Sequence, residues 1–441
     1  MRDLTPIGKI IIIKTFAVSQ LVYVLTVLPT PPVDFLQQVN RLFHKFIWNN
    51  KPDKIKRSTL LNNKQDGGLG MIDIVSFAKS LKTTWVKLYL DDKNRQWKVL
   101  FHYFLKRHGC KLLFSCNYLS TDVNNISNVF IRDVCQAWAH YNYNIPDGDY
   151  GNQLILNNSF IRIDNRIIYN DKLFKADAYC VKKLFKEDGC IMQYQDFIIT
   201  YNIEHFSYLE YFGIVAAIPR HWKSCLGDPL FPTVNQQRMI TFLSAVKSNR
   251  CVYSNLVRDK VTTPRAIAKW EQQYPTVDWN WKKIYSLIYT SVRDTKIQYF
   301  QFRFLNRIIG VNQYLCRIGI ADNAACAFCN NQDETINHLF WSCSHVHLLW
   351  ENIANYLLKP SFEFSEHVIF FGYIEDDLDP INFLILNAKY YIFTCKYQNK
   401  IPSYDEFSLK FRFLLAVERL ILKQQDKEYM YIKYTECFED T

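Results

Sequence analysis

This 441-residue sequence has no glycine-rich phosphate loop, no Ser or Cys triad and no convincing pair of catalytic carboxylates. Phosphoryl transfer and nucleophilic hydrolysis are therefore left without a visible apparatus. It has no repeat period and no low-complexity tract, and 49% of its residues are hydrophobic, so a substantial buried core is expected rather than a disordered chain. Its thirteen cysteines are odd in number and mostly scattered, which argues against a disulfide framework. They point instead to a reducing compartment, nuclear or cytoplasmic and not secreted. The apolar stretch "IGKIIIIKTFAVSQLVYVLTVLP" lacks a small-residue cleavage site and carries Lys14, Thr15, Ser19 and Gln20. It reads as a buried amphipathic helix, with no membrane partner.

Acid is also in deficit. Lys and Arg number 53 against 42 Asp and Glu, a net charge of +11, which favours a polyanionic partner. Aromatic residues make up 16% of the chain, and rings interleaved with cations suit single-stranded nucleic acid, although many must be core.

The expected fold is mainly α: a multi-helix assembly with a small β-hairpin and a Cys3His zinc knuckle. Helices are read from Ile7 onward, from Val33 to Trp48, and through Phe77, Leu81, Trp85 and Leu88, with a turn at Gly67, Gly68 and Gly70. The sequence divides into a helical region over 1–110, a connecting helical region over 111–275, a basic helix with a metal module over 276–360, and a helical tail over 361–441. The clearest strand signal alternates around Asp164 and Asn165, a hairpin near 159–170. "GDPLFPTVNQQ" near 227–237 and the stretch near 260–281 read as loops or boundaries.

The most specific feature is "CAFCNNQDETINHLFWSC". Cys326, Cys329, His338 and Cys343 are separated by two, eight and four residues, and zinc takes four such S and N donors at tetrahedral corners. Four protein ligands close the site, so the zinc is structural. His338 and Cys343 are expected on a short helical stretch capped by Asp333, with Cys316, His345 and His347 as alternative ligands nearby. Val346, Leu349, Trp350 and Ile353 follow as a packed helix face. Upstream, Arg293, Lys296, Arg303 and Arg307 fall at separations of three, seven and four, which predicts four cations on one side of a helix. Lys51, Lys54, Lys56 and Arg57 lead a second basic cluster, with Arg41, Lys45 and Lys64, that would form the other wall of a groove. "YLDD" imitates a polymerase metal motif, but Asp91 and Asp92 read as a helix end and a polar turn.

"LTPIGKIIIIKTFAVSQLVYVLTVLPTPP", "FIWNNKPDKIKRSTL", "GGLGMIDI" and the cysteine-rich stretch together resemble the C-terminal part of the reverse transcriptase protein of LINE-type, non-LTR retrotransposons. The first three are similar to the thumb-like region, the last to the reverse transcriptase zinc-binding region. The resemblance implies Cys326, Cys329, His338 and Cys343 as metal ligands. It implies a non-catalytic fragment whose endonuclease, finger and palm blocks would precede Met1. The partners implied are element RNA, target DNA and a separate catalytic reverse transcriptase chain. The alternative reading is a zinc-stabilised protein-interaction scaffold that binds no nucleic acid.

Overall fold

A computed structural model describes residues 4–146, 148–225, 243–245, 248–357, 364–375 and 379–438. The architecture is mainly helical, as expected, with one two-stranded antiparallel sheet among the described residues. The loop expected near 227–237 lies outside the described residues. The chain splits into two compact units, one of Met1–Ile13, Phe43–Met71 and Val261–Thr441, the other of Lys14–Leu42 and Ile72–Lys260.

The second unit is built around the helix Ile74–Leu90, against which Val129–Asn142 and Ser248–Arg258 pack. Its start is fixed by Asp73. The Asp73 carboxylate accepts from Ser76 N at 3.1 Å, from Ser76 Oγ at 2.6 Å and from Lys260 Nζ at 2.7 Å. Asn40 donates to the same group at 2.9 Å and accepts from Ile74 N at 3.1 Å. Burial alone would raise the Asp73 pKa, but the hydrogen bonds from Lys260, Ser76 and Asn40 outweigh it and hold the carboxyl below its ordinary value. A lowered folded-state pKa stabilises the fold above the unfolded-chain value, roughly 3.9 for Asp, and that stability is lost as pH falls through the folded value. Asp73→Ala is expected to lower stability by about 1–3 kcal/mol near neutrality in urea denaturation. Asp73→Asn should differ from the parent chain above about pH 4 and converge with it in stronger acid.

The hairpin is present but short. Arg162–Ile163 pairs with Arg166–Ile167, and Asp164 and Asn165 take φ of 48° and 60°. Two consecutive left-handed residues are the backbone a two-residue turn of this hand requires. Beside it, Tyr208–Ala217 carries a capping box in which Ser207 and Glu210 satisfy each other's backbone amides.

The N-terminal apolar stretch departs from expectation. It is helical, with Pro6–Ile12 and Ser19–Val27 flanking a π-helical turn at Ile13–Val18. Only 22% of its most apolar window is buried, however, and by length and composition it could cross a membrane. Ile7, Ile10 and Ile13 are buried, whereas Ile11, Phe16 and Tyr23 are exposed. The apolar residues run all round the helix, so a single packed face cannot take them all.

In the first unit the organising element is the helix Asp379–Tyr397, most of whose residues are buried. It packs against Trp281–Thr290, Thr295–Leu305 and Tyr404–Gln424. Aromatic rings fill the space between them: Phe300 lies 5.1 Å from Phe393 and 5.8 Å from Phe340, and Phe304 lies 5.1 Å from Phe370. Lys389 is fully buried among these rings. Its amine donates to Gln301 Oε1 at 2.8 Å and to Phe370 O at 2.9 Å, and desolvation pulls its pKa well below the ordinary lysine value. Gly67 is required where it stands. Its φ is +78°, and a Cβ would come within 2.6 Å of Pro264 and 2.9 Å of Tyr285.

Candidate metal centre

Two loops and a π-helical turn bring the four sequence-predicted ligands together. Residues 324–334 fold back on themselves: Cys326 N donates to Gln332 O at 2.8 Å, Glu334 N donates to Ala324 O at 2.7 Å, and Ala325 pairs with Asp333. The tight turn between Cys326 and Cys329 is closed by Asn330 N donating to Cys326 O at 3.0 Å, with Asn330 at φ 55°. Phe328 N points at Cys326 Sγ at 3.4 Å. His338–Ser342 is a π-turn that ends at Cys343, so the last two ligands return to the first two. The helix-starting oxygen is Thr335 Oγ1, which accepts from His338 N at 3.0 Å. Asp333, expected in that role, is engaged in the bridge to Ala325 instead.

One donor atom from each of Cys326, Cys329, His338 and Cys343 lies within 4.8 Å of the others. Cys326 Sγ is 3.9 Å from Cys343 Sγ, and Cys329 Sγ is 3.3 Å from His338 Nε2. Tetrahedral zinc with bonds of about 2.3 Å to sulfur and 2.0 Å to nitrogen sets its ligand atoms roughly 3.5–3.8 Å apart. The residues therefore fit a four-coordinate zinc with no position left for water. Cys316, His345 and His347 do not join the group, and His347 instead faces Glu351 at 3.5 Å.

The Cys343 thiol is held below its ordinary value by the hydrogen bond from Cys326, with the amides of His345 and Val346 also favouring the thiolate against burial. The same bond, with burial, pushes Cys326 up. Burial holds His338 below the ordinary histidine value, with Glu334 opposing; a metal ligand must be the neutral imidazole. Ser342 Oγ lies 3.3 Å from His338 Nδ1, a partner that orients the ring and leaves Nε2 for the metal. Zinc bound here supplies folding energy rather than chemistry.

Behind the ligands lies a residue the sequence did not flag. Glu334 is fully buried. Its carboxylate accepts from Asn312 N at 2.8 Å and from Ala327 N, between the first two cysteines, at 3.0 Å. It also pairs with Lys396 of the Asp379–Tyr397 helix. Lys396 donates in addition to Gly310 O at 2.7 Å. An acid in a turn is ordinarily solvated, so no pattern in the sequence marks it as an anchor. On the other side Val346, Leu349, Trp350 and Ile353 of Ser344–Asn355 are buried as the spacing predicts, and Trp350 Nε1 donates to Phe340 O at 2.9 Å.

The basic residues are arranged differently from expectation. The helix covers Thr295–Leu305, so of the four upstream cations only Lys296 and Arg303 are on it. Arg293 precedes it and forms an ion pair with Glu418 at 3.0 Å. Arg307 follows it at φ 55°, with its guanidinium 4.2 Å from the Trp270 ring centre and donating to Gln273 at 2.9 Å. Arg303 lies between the rings of Tyr299 and Phe393, at 5.2 and 5.1 Å, and Lys296 is exposed. Lys51, Lys54, Lys56 and Arg57 are exposed, and Arg57 pairs with Asp53 at 2.6 Å. Although Lys54 is largely exposed, partial desolvation, then the charge of Arg303, then that of Lys51 hold it below the ordinary lysine value. Arg303, about 250 positions away in sequence, is thus near enough for its charge to act on Lys54. Asp91 ends the Ile74–Leu90 helix and is engaged by Arg95 at 3.1 Å and Lys98 at 2.5 Å, the helix end and polar turn read from the sequence.

Residues 262–350 match the family model described as zinc-binding in reverse transcriptase. The match contains all four clustered donors and makes this part of the chain a zinc-associated, reverse transcriptase-related segment.

Proposed function

We propose that the chain is a non-catalytic, nucleic-acid-gripping C-terminal segment of a LINE-type, non-LTR retrotransposon reverse transcriptase. In this reading its zinc knuckle braces a cationic surface that holds element RNA and target DNA during target-primed reverse transcription. The thumb-like assignment of the N-terminal stretches and a catalytic chain as partner belong to the same reading. The observation that carries it is the exposed basic run Lys51, Lys54, Lys56 and Arg57, in which Lys54 lies close enough to Arg303 and Lys51 for their charge to add to burial in lowering its pKa. A surface on which cations outnumber acids, here with Asp53 engaged by Arg57, is relieved by a polyanion.

Three engaged phosphates on a single strand would give log K against log salt a slope of about −2. The purified chain should therefore bind RNA and single-stranded DNA in a strongly salt-dependent way. Lys51→Glu with Lys54→Glu should weaken that binding by about tenfold or more near 0.1 M salt. These two are the cleaner test, because Arg303 also packs between rings. Salt-independent binding, or full affinity in the double variant, would contradict the proposal.

A second reading, the protein-interaction scaffold, is favoured by the exposed apolar residues of the second unit, with Phe16 67% and Tyr23 74% exposed. Tight association with a protein partner, combined with no affinity for RNA or DNA, would select it.

A further inference from the structure

The helix Tyr404–Gln424 borders a polar cleft, separate from the metal module. Helix Tyr404–Gln424 ends where Asp426 turns at φ 55°, and Lys427 N donates back to Leu422 O at 2.9 Å. The chain then returns as a 3-10 turn, Glu428–Tyr431, and a short helix, Ile432–Thr435. Between the helix and this return lies a cleft of about 620 Å³, a size that takes a small molecule.

Its two walls differ in chemistry. Arg412, Ala416, Arg419 and Lys423 recur at helical spacing and present three cations on one wall, with the small Ala416 leaving room between them. On the other wall Tyr431 and Tyr434 stack at 5.5 Å with 9° between their planes. The Arg419 guanidinium lies 5.4 Å from the Tyr431 ring centre. Among the described lining residues the one acid is Glu428, 3.5 Å from Arg419. Among the described residues Arg412 and Lys423 have no ion-pair partner.

Cations alone would recognise any anion, and stacked rings alone any flat apolar group. Together they select a ligand that carries both. We propose that this cleft binds a nucleotide, its phosphate held by Arg412, Arg419 and Lys423 and its base set against the Tyr431–Tyr434 ring pair. The ligand is either a free nucleotide or the 5′-terminal residue of a strand. The proposal does not rest on the surface at Lys51 and Lys54, with which the cleft shares no residue, and the cleft lies outside residues 262–350.

The test titrates the full chain with AMP, adenosine, ribose 5-phosphate and inorganic phosphate by calorimetry. AMP is expected to bind saturably. Adenosine and ribose 5-phosphate should each bind about tenfold or more weakly, since a lost stacked base or ion pair is worth that factor or more. Arg412→Glu with Lys423→Glu should abolish AMP binding and Tyr431→Ala should weaken it about tenfold, with helical circular dichroism unchanged. Lys51→Glu with Lys54→Glu should leave AMP binding as it is. Tighter binding of a 5′-phosphorylated oligonucleotide than of AMP, lost when its 5′ phosphate is removed, would identify a strand end as the ligand. The reverse order would identify a free nucleotide. Equal affinity for AMP and inorganic phosphate, no saturable AMP binding, or unchanged affinity in Arg412→Glu, Lys423→Glu would overturn the proposal.

Discussion

Replacing Cys343 by serine is expected to release the metal and melt the knuckle from Ala324 to Ser342. Structural zinc contributes on the order of 10 kcal/mol to folding a small module, so removing one of four ligands is not a local event. Cys343 is fully buried and starts the helix Ser344–Asn355. When its side chain loses its partner, the register of Val346 and Trp350 against the core loses its fixed end. Amide hydrogen exchange should show residues 324–343 unprotected in Cys343→Ser, and in the parent chain treated with a strong chelator. The Ile74–Leu90 helix, which belongs to the other compact unit, should retain its protection. Unchanged exchange at the knuckle after chelation would mean that hydrogen bonds alone hold it.

Lys396→Met should also be strongly destabilising, without touching a ligand. The substitution leaves the Glu334 carboxylate buried with only two backbone amides, and removing one partner of a buried pair costs about 3–5 kcal/mol. Glu334→Gln in the same chain should recover much of the loss, because a neutral amide oxygen still accepts from Asn312 N or Ala327 N and carries no charge to bury. Chemical denaturation of the two single variants and the double variant gives the coupling directly. If Lys396→Met is as stable as the parent chain, the carboxylate does not depend on the ion pair. The link matters because it ties the loop between the first two cysteines to the helix Asp379–Tyr397, so the metal module is seated on the core by a charge pair as well as by apolar contact.

How much of this could be read beforehand differs by feature. The ligand quartet was legible because two-residue spacing of cysteines and a following His and Cys are demanded by tetrahedral geometry, whatever the surrounding fold. The hairpin turn was legible for a similar local reason, since Asp164 and Asn165 tolerate the left-handed backbone that the turn imposes. The helix after Cys343 followed from its apolar spacing. The cationic face failed because spacing fixes a face only while the helix lasts. The Thr295–Leu305 helix stops two residues before Arg307, which turns back onto Trp270. The helical character of the N-terminal stretch follows from its sequence but its burial does not, since composition does not say which side finds a partner. Glu334 and Lys389 were invisible because their roles depend on residues from distant stretches, Lys396 in one case and Gln301 in the other.

The central claim is that one zinc ion, held by three thiolates and one imidazole, organises the module. X-ray absorption at the zinc edge, on protein isolated under reducing and chelator-free conditions, examines it most directly. One zinc per chain is expected, with three sulfurs at about 2.3 Å and one nitrogen at about 2.0 Å, and this signal should disappear in Cys326→Ser. Substoichiometric metal, or a shell of oxygens and nitrogens without sulfur, would contradict the account.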